Sequence, residues 1–155
     1  MTLGTATPVL DPSLYIPELK SRNRDSVLAQ LVALAHRAGA VRGVAPLVEL
    51  LRLRERLGTT AIGKGVAAPH ARSLTVDRPV LVVARSHRGI DWDAPDDLPA
   101  NLVLLVLSPG EWGEEAHHGF LAHAVAVARL QRNRQRLLEA GTFAEVAGVL
   151  AEAHP

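Results

Sequence analysis

The stretch 79-PVLVVARSHRGIDWDAPDDLPANLVLLVLSP-109 decides the fold. Its two ends, 79-PVLVVARS-86 and 101-NLVLLVL-107, are nearly continuous Val/Leu runs of strand length. A strand with one wet face alternates apolar and polar residues, so runs without alternation read as strands covered on both faces. Between them, 89-GIDWDAPDDLPA-100 crowds Pro and Asp together and reads as a loop.

The cover comes from helices on either side of this stretch. From Ser21 or Asn23, either of which can cap, Val27, Leu28, Leu31, Val32 and Leu34-Ala35 follow the helical period until Gly39 stops it. Val44, Leu47, Val48 and Leu51 repeat the pattern, with Pro46 in the first turn and Gly58 as the stop. Arg52, Arg54 and Arg56 fall in the last turns, where cations suit the helix dipole. Beyond Ser108-Pro109-Gly110 one long helix is expected from about Glu114 to Ala140, ended by Gly141. Thr142-Phe143-Ala144-Glu145 has capping-box spacing and opens a last helix with Phe143, Val146, Val149 and Leu150 on its apolar face. The opening through Tyr15-Ile16-Pro17, with Pro8, Pro12 and Pro17, reads as extended or irregular, with room for a short edge strand. Together these elements make an α/β fold, a sheet with helices packed on it.

At 155 residues the chain has the length of one domain, taken as 1–155, with no repeat or linker to divide it. The formal net charge of +1 gives no basic field of the kind nucleic-acid binding needs. The Arg clusters 52-RLRER-56 and 129-RLQRNRQR-136 read as solvated helix faces. Cysteine is absent, which excludes disulfides, thiolate metal sites and a thiol nucleophile. The N-terminal segment lacks the pattern of a signal peptide, and 102-LVLLVL-107 is far shorter than the roughly 20 residues of a membrane span. A soluble, cytoplasmic protein is expected.

The chemistry concentrates in 58-GTTAIGKGVAAPHARS-73. Imidazole, with a pKa of about 6.5, is largely neutral and nucleophilic near pH 7, which suits His70 to accept a phosphoryl group. Pro69 restricts the backbone just before it. Gly63 and Gly65 permit an anion-binding concavity of backbone N–H groups, and Arg54, Lys64 and Arg72 offer charge-assisted donors. Phosphoryl transfer asks mainly for positioning and charge stabilisation. The stretch is not a P-loop, because Val66 follows Gly65 where Ser or Thr is required.

The run 54-RERLGTTAIGKGVAAPHAR-72 resembles the signature of the fructose/mannitol-type EIIA domains of the phosphoenolpyruvate-dependent sugar phosphotransferase system, which include nitrogen-regulatory members. A second match, 90-IDWDAPDDLPANLVLLVLSP-109, lies at the right separation, and the resemblance extends over nearly the whole chain. It implies a three-layer sandwich with a central mixed β-sheet flanked by helices. It also implies that His70 is phosphorylated by the phosphocarrier protein HPr, with Arg54 holding the phosphate and Thr60 and Gly65 shaping the pocket. The family normally passes the phosphoryl group to a cysteine of an EIIB domain. Without cysteine of its own, this chain would need a separate EIIB polypeptide, and would meet the membrane only through the sugar permease. No cofactor or metal is required.

Three positions depart from the family pattern. Ala71 stands where glycine is usual, and Lys64 replaces asparagine. The family's second active-site histidine, aligned through Ala128-Arg129, falls on Phe120, whereas His118 or His117 would take the role only after a shift of the helix start. If neither reaches the pocket, a regulatory or degenerate member controlling a partner protein becomes the alternative. Other readings are weaker. In 117-HHGFLAH-123 the spacings do not suit a helical metal pair, and Asp91, Asp93, Asp96 and Asp97 lack the glycine and glutamate of an EF-hand. Ser73 and Ser108 have no nucleophile elbow around them.

Overall fold

The two Val/Leu runs form the centre of a six-stranded mixed sheet in a computed structural model that describes residues 11–152. Strand β5 (Val80–Ile90) pairs antiparallel with β6 (Ala100–Pro109), with Val83 opposite Leu104. A short β1 (Tyr15–Ile16) lies parallel to β5 at one edge. On the far side of β6 the glycine-rich stretch makes three short strands: β2 (Ala61–Gly63), β3 (Val66–Ala67) and β4 (His70–Ser73). Both β3 and β4 run parallel to β6, with Val66 beside Leu102 and His70 beside Val106, while β2 folds back antiparallel on β3.

Burial on both faces explains why the central runs do not alternate. Val80, Val82, Ala84, Val103, Leu105 and Leu107 pack on one side with α1 (Arg24–Arg37) and α2 (Val44–Leu57). Val83, Leu102 and Leu104 point the other way. They meet residues from α3 (Glu114–Arg129), α4 (Gln131–Glu139) and α5 (Phe143–Glu152). The result is the expected three-layer sandwich, with a mixed sheet between two helical layers. Asn23 caps α1, its Oδ1 accepting from Ser26 N at 3.1 Å. At α5, Thr142 Oγ1 accepts from Glu145 N and the Glu145 carboxylate accepts from Gly141 N, a capping box displaced by one residue.

Two local expectations need correction. Strand β5 continues beyond Ser86 to Ile90, where exposed His87 and Arg88 had masked it. The helix expected over 114–140 is two helices, broken at an extended Leu130 (φ −82°, ψ 123°). Side chains hold that break: Arg134 Nη1 donates to the carbonyls of Ala128 (2.9 Å) and Arg129 (2.6 Å), and Asn133 Nδ2 to that of Val127 (3.0 Å). These bonds satisfy carbonyls that a continuing helix would have used. His70 begins strand β4. Pro8 lies outside the described residues. No helix among the described residues is long and apolar enough to cross a membrane.

Candidate phosphoryl-acceptor site

The backbone before His70 is clamped from two directions. Ala68 N donates to Thr60 O at 3.0 Å, and Val106 N donates to Pro69 O at 3.0 Å. Strand alternation then sorts the next three side chains. Ala71 joins the core under α1 and α2, so His70 and Arg72 face the layer that contains α3. The methyl that distinguishes Ala71 from glycine is therefore buried on the opposite face from the imidazole.

His70 Nδ1 lies 3.1 Å from Ala68 O. A carbonyl can only accept, so Nδ1 carries the proton and Nε2 holds the lone pair. The ring is half-buried. Burial, then the charges of Arg54 and His118, hold its pKa below the ordinary histidine value, against the opposing effects of the Ala68 carbonyl and Glu55. A neutral ring with a bare Nε2 is the nucleophilic form.

His117, in the first turns of α3, lies against this ring, with centroids 5.6 Å apart and planes at 41°. Its Nδ1 is 2.7 Å from the hydroxyl of buried Ser108, which pairs along the sheet with Arg72. Burial first, then the charges of His70, His118 and Arg72, push the His117 pKa down to about 4. His118 is exposed and its ring lies 5.9 Å from that of His117. Phe120, the position reached by alignment through Ala128-Arg129, packs instead on Trp112 at 6.3 Å.

Arg54 comes from the last turn of α2, where its Nη1 donates to Gly58 O at 2.7 Å, and its charge acts on His70. Arg72 Nη1 donates to Trp112 O at 2.5 Å, and its charge acts on His117. The charges of two guanidinium groups thus reach the imidazoles, that of Arg54 at His70 and that of Arg72 at His117. Oxygens of a phosphoryl group arriving at Nε2 would meet positive charge there.

The rest of the expected phosphate-binding set is placed differently. Thr60 is buried and does not offer its hydroxyl to a pocket. Its N–H donates to Glu55 Oε1 at 2.9 Å, its Oγ1 donates to Glu55 Oε2, and Oγ1 accepts from Trp92 Nε1 at 3.2 Å. Gly63, Lys64 and Gly65 form a left-handed turn (φ 86°, 60° and 80°) at the start of β6. There Lys64 N–H donates to Asp96 Oδ2 at 2.7 Å, and Gly65 O accepts from the amides of Asn101 and Leu102. Val66 pairs with Leu102 and His70 with Val106, so four residues of strand, about 13 Å, separate this turn from His70. The structure does not bring Gly63, Lys64 and Gly65 to the imidazole; the glycines serve the turn that reverses β2 into β3.

The sequence assigned no part in this site to Glu55, to Ser108, weighed there only as a nucleophile, or to the Ala68 carbonyl. Glu55 is the one acid in the Arg-rich end of α2, and only its burial marks it. The Ser108–His117 contact depends on register between β6 and α3, which no local pattern carries.

Residues 8–153 match the family model described as "Phosphoenolpyruvate-dependent sugar phosphotransferase system, EIIA 2". The chain is 35% identical to the PTS system fructose-specific EIIA component of Haloferax volcanii over 151 residues, 97% of this chain and 95% of that protein. Among solved structures, nitrogen regulatory protein IIA-Ntr from Neisseria meningitidis superposes with a TM-score of 0.80 at 26% identity, covering 92% of this chain and 96% of that one. The fold also matches that in the complex of enzyme IIAMTL with phosphorylated enzyme IIBMTL from Escherichia coli. The TM-score is 0.79 at 18% identity, over 94% of this chain and 99% of that one. A match over almost the whole length, in sequence as well as in fold, shows that the chain belongs to the EIIA 2 family of the phosphoenolpyruvate-dependent sugar phosphotransferase system.

Proposed function

We propose that this protein is a phosphoryl carrier that accepts a phosphoryl group on His70 from the phosphocarrier protein HPr and passes it to an EIIB component on another polypeptide. One observation carries the reading: His70 donates Nδ1–H to Ala68 O, which leaves Nε2 as the basic nitrogen beside His117. In the forward step the Nε2 lone pair attacks phosphorus in line, and the bond from phosphorus to the donor breaks with its electrons leaving on the donor. The ring gains positive charge as the P–N bond forms. The Ala68 carbonyl, accepting from Nδ1–H, favours that charge, while Arg54 and Arg72 supply positive charge for the phosphoryl oxygens. His117, neutral and bonded to Ser108, adds no competing cation.

The second half-reaction reverses the geometry. A nucleophile on the accepting protein attacks the same phosphorus, and the electrons of the P–N bond return to Nε2. The solved complex of enzyme IIAMTL with phosphorylated enzyme IIBMTL supports an EIIB-type acceptor. A second reading, a module whose His70 phosphorylation state controls a partner protein, is supported by likeness to nitrogen regulatory proteins. Both readings place the phosphoryl group on His70. The test is incubation with phosphoenolpyruvate, enzyme I and HPr, followed by intact-mass spectrometry of wild type and His70→Ala. One acid-labile phosphoryl group in the wild type, missing from a folded His70→Ala, is the expected result. No gain, with the same HPr active on a control EIIA, overturns it.

A further inference from the structure

Glu55 is a carboxylate only 5% exposed, and no cation lies within 4 Å of it among the described residues. Burying such a charge is costly, and what offsets the cost here is two hydrogen bonds, both from Thr60. Donor and acceptor roles run in one direction. The indole N–H of Trp92 can only donate, so Thr60 Oγ1 accepts it and turns its own proton to Glu55 Oε2. Thr59 Oγ1 donates to Trp92 O at 2.5 Å, tying the indole residue to the same segment. Thr60 is thereby held at its side chain and its N–H, and its remaining backbone group, the carbonyl, accepts from Ala68 N. Ala68 in turn supplies the carbonyl that meets His70 Nδ1.

We infer that Trp92, Thr60 and Glu55 form a positioning chain that fixes the Ala68 carbonyl against His70 Nδ1 and so selects Nε2 as the reacting nitrogen. The inference rests on the phosphoryl-carrier reading for its chemistry, but the ring's tautomer is a property of the unphosphorylated protein. None of the three residues touches the phosphoryl group. Their effect passes through the backbone of residues 60 and 68, which no substitution of the histidine itself would reveal. The chain also gives the Arg54-Glu55 pair two separate roles: the arginine supplies charge for the incoming anion, and the glutamate anchors, through Thr60, the backbone at Ala68 that leads into the strand of the nucleophile.

The experiment is long-range proton–nitrogen correlation NMR of protein with 15N-labelled histidine above pH 7, with the His70 signals assigned by their absence from His70→Gln. Wild type should show His70 with the proton on Nδ1. Thr60→Val keeps the side-chain shape but loses the hydroxyl; it should give His70 a mixture of tautomers and reduce the phosphorylation rate at least about 10-fold. Thr60→Ser should restore both. Where Thr60→Val does not fold, Trp92→Phe, which deletes the indole N–H from the end of the chain, takes its place and should move the His70 signals in the same direction. A single Nδ1–H tautomer in the variant, or a Thr60→Ser that fails to restore it, overturns the inference. A wild type that shows the tautomer yet takes up no phosphoryl group sinks the carrier reading and leaves the positioning chain standing.

Discussion

The imidazoles of His70 and His117 are ring neighbours, 5.6 Å apart between centroids, and His70 disfavours a proton on His117. Burial is the largest cause at both sites, and it favours the neutral rings that the proposed carrier role needs. This has a cost in acid. In the unfolded chain histidine binds a proton near pH 6.5, while folded His117 resists one down to about 4. The unfolded state therefore takes up more protons as pH falls through that window, and stability falls with it. From pH 7 to pH 5 the loss from His117 should be about 2 kcal/mol. Urea unfolding at the two pH values measures it. His117→Asn should remove most of the difference, and an unchanged difference in that variant would show that His117 is not its source.

Arg54→Ala should separate rate from stability. Among the described residues its guanidinium bonds only the exposed Gly58 carbonyl, so losing it should lower stability by less than about 1 kcal/mol. On the proposed carrier role the same change removes a charge that stabilises the phosphoryl oxygens, and it should slow phosphorylation by about 100-fold. It should also raise the His70 pKa, since the Arg54 charge lowers it. Kinetics with phospho-HPr and an NMR titration of His70 check the two effects; wild-type kinetics in the variant would remove Arg54 from the mechanism.

Ala71→Gly should behave in the opposite way. The methyl is buried among core residues under α1 and α2, on the face away from the imidazole. Restoring the glycine usual in the family should cost about 1–2 kcal/mol through the lost methyl and the freer strand backbone, and leave the phosphorylation rate unchanged. A large change in rate would mean that residue 71 reaches the site after all. Urea unfolding and single-turnover phosphorylation of the two proteins decide it.

How far the sequence could be read depended on whether the deciding interaction was local. The central strands were legible because sandwiching makes both faces of 80–84 and 102–107 apolar, and α1, α2 and α5 because caps and apolar faces recur at helical spacing. The break at Leu130 was not legible, since it contains neither Gly nor Pro and depends on Arg134 and Asn133 reaching back to carbonyls of α3. Within the site, the Pro69-His70 pair stood out by type. The choice between His117 and His118 did not, because it turns on the rotation of α3 over β6. Gly63, Lys64 and Gly65 misled for a related reason: closeness in sequence to His70 became distance along β6.

That distance gives Lys64→Asn its expected outcome. Lys64 holds φ 60°, a conformation costly for lysine and tolerated by asparagine, while its N–H bond to Asp96 uses only backbone. The variant should gain about 0.5 kcal/mol in urea unfolding and phosphorylate at the wild-type rate. A slower variant with unchanged stability would return Lys64 to the phosphate.

The two neighbouring histidines of α3 should part company when each is removed. His117 is 6% exposed, stacks beside His70 and holds the Ser108 hydroxyl, so His117→Ala leaves a cavity and an unpartnered buried oxygen. Its cost should be about 2–3 kcal/mol, and with the wall beside His70 gone, phosphorylation should slow at least about 10-fold. His118 is exposed and acts on His70 only through charge, so His118→Ala should change stability by less than about 0.5 kcal/mol. Its effect on rate should be smaller than that of His117→Ala, since it reaches His70 through charge and not through contact. Phosphorylation rates of both variants at pH 6 and pH 8, with urea unfolding alongside, separate the two roles. If His118→Ala were the slower enzyme at pH 8, the second active-site histidine would be the exposed one, and the contact between His70 and His117 would be packing alone.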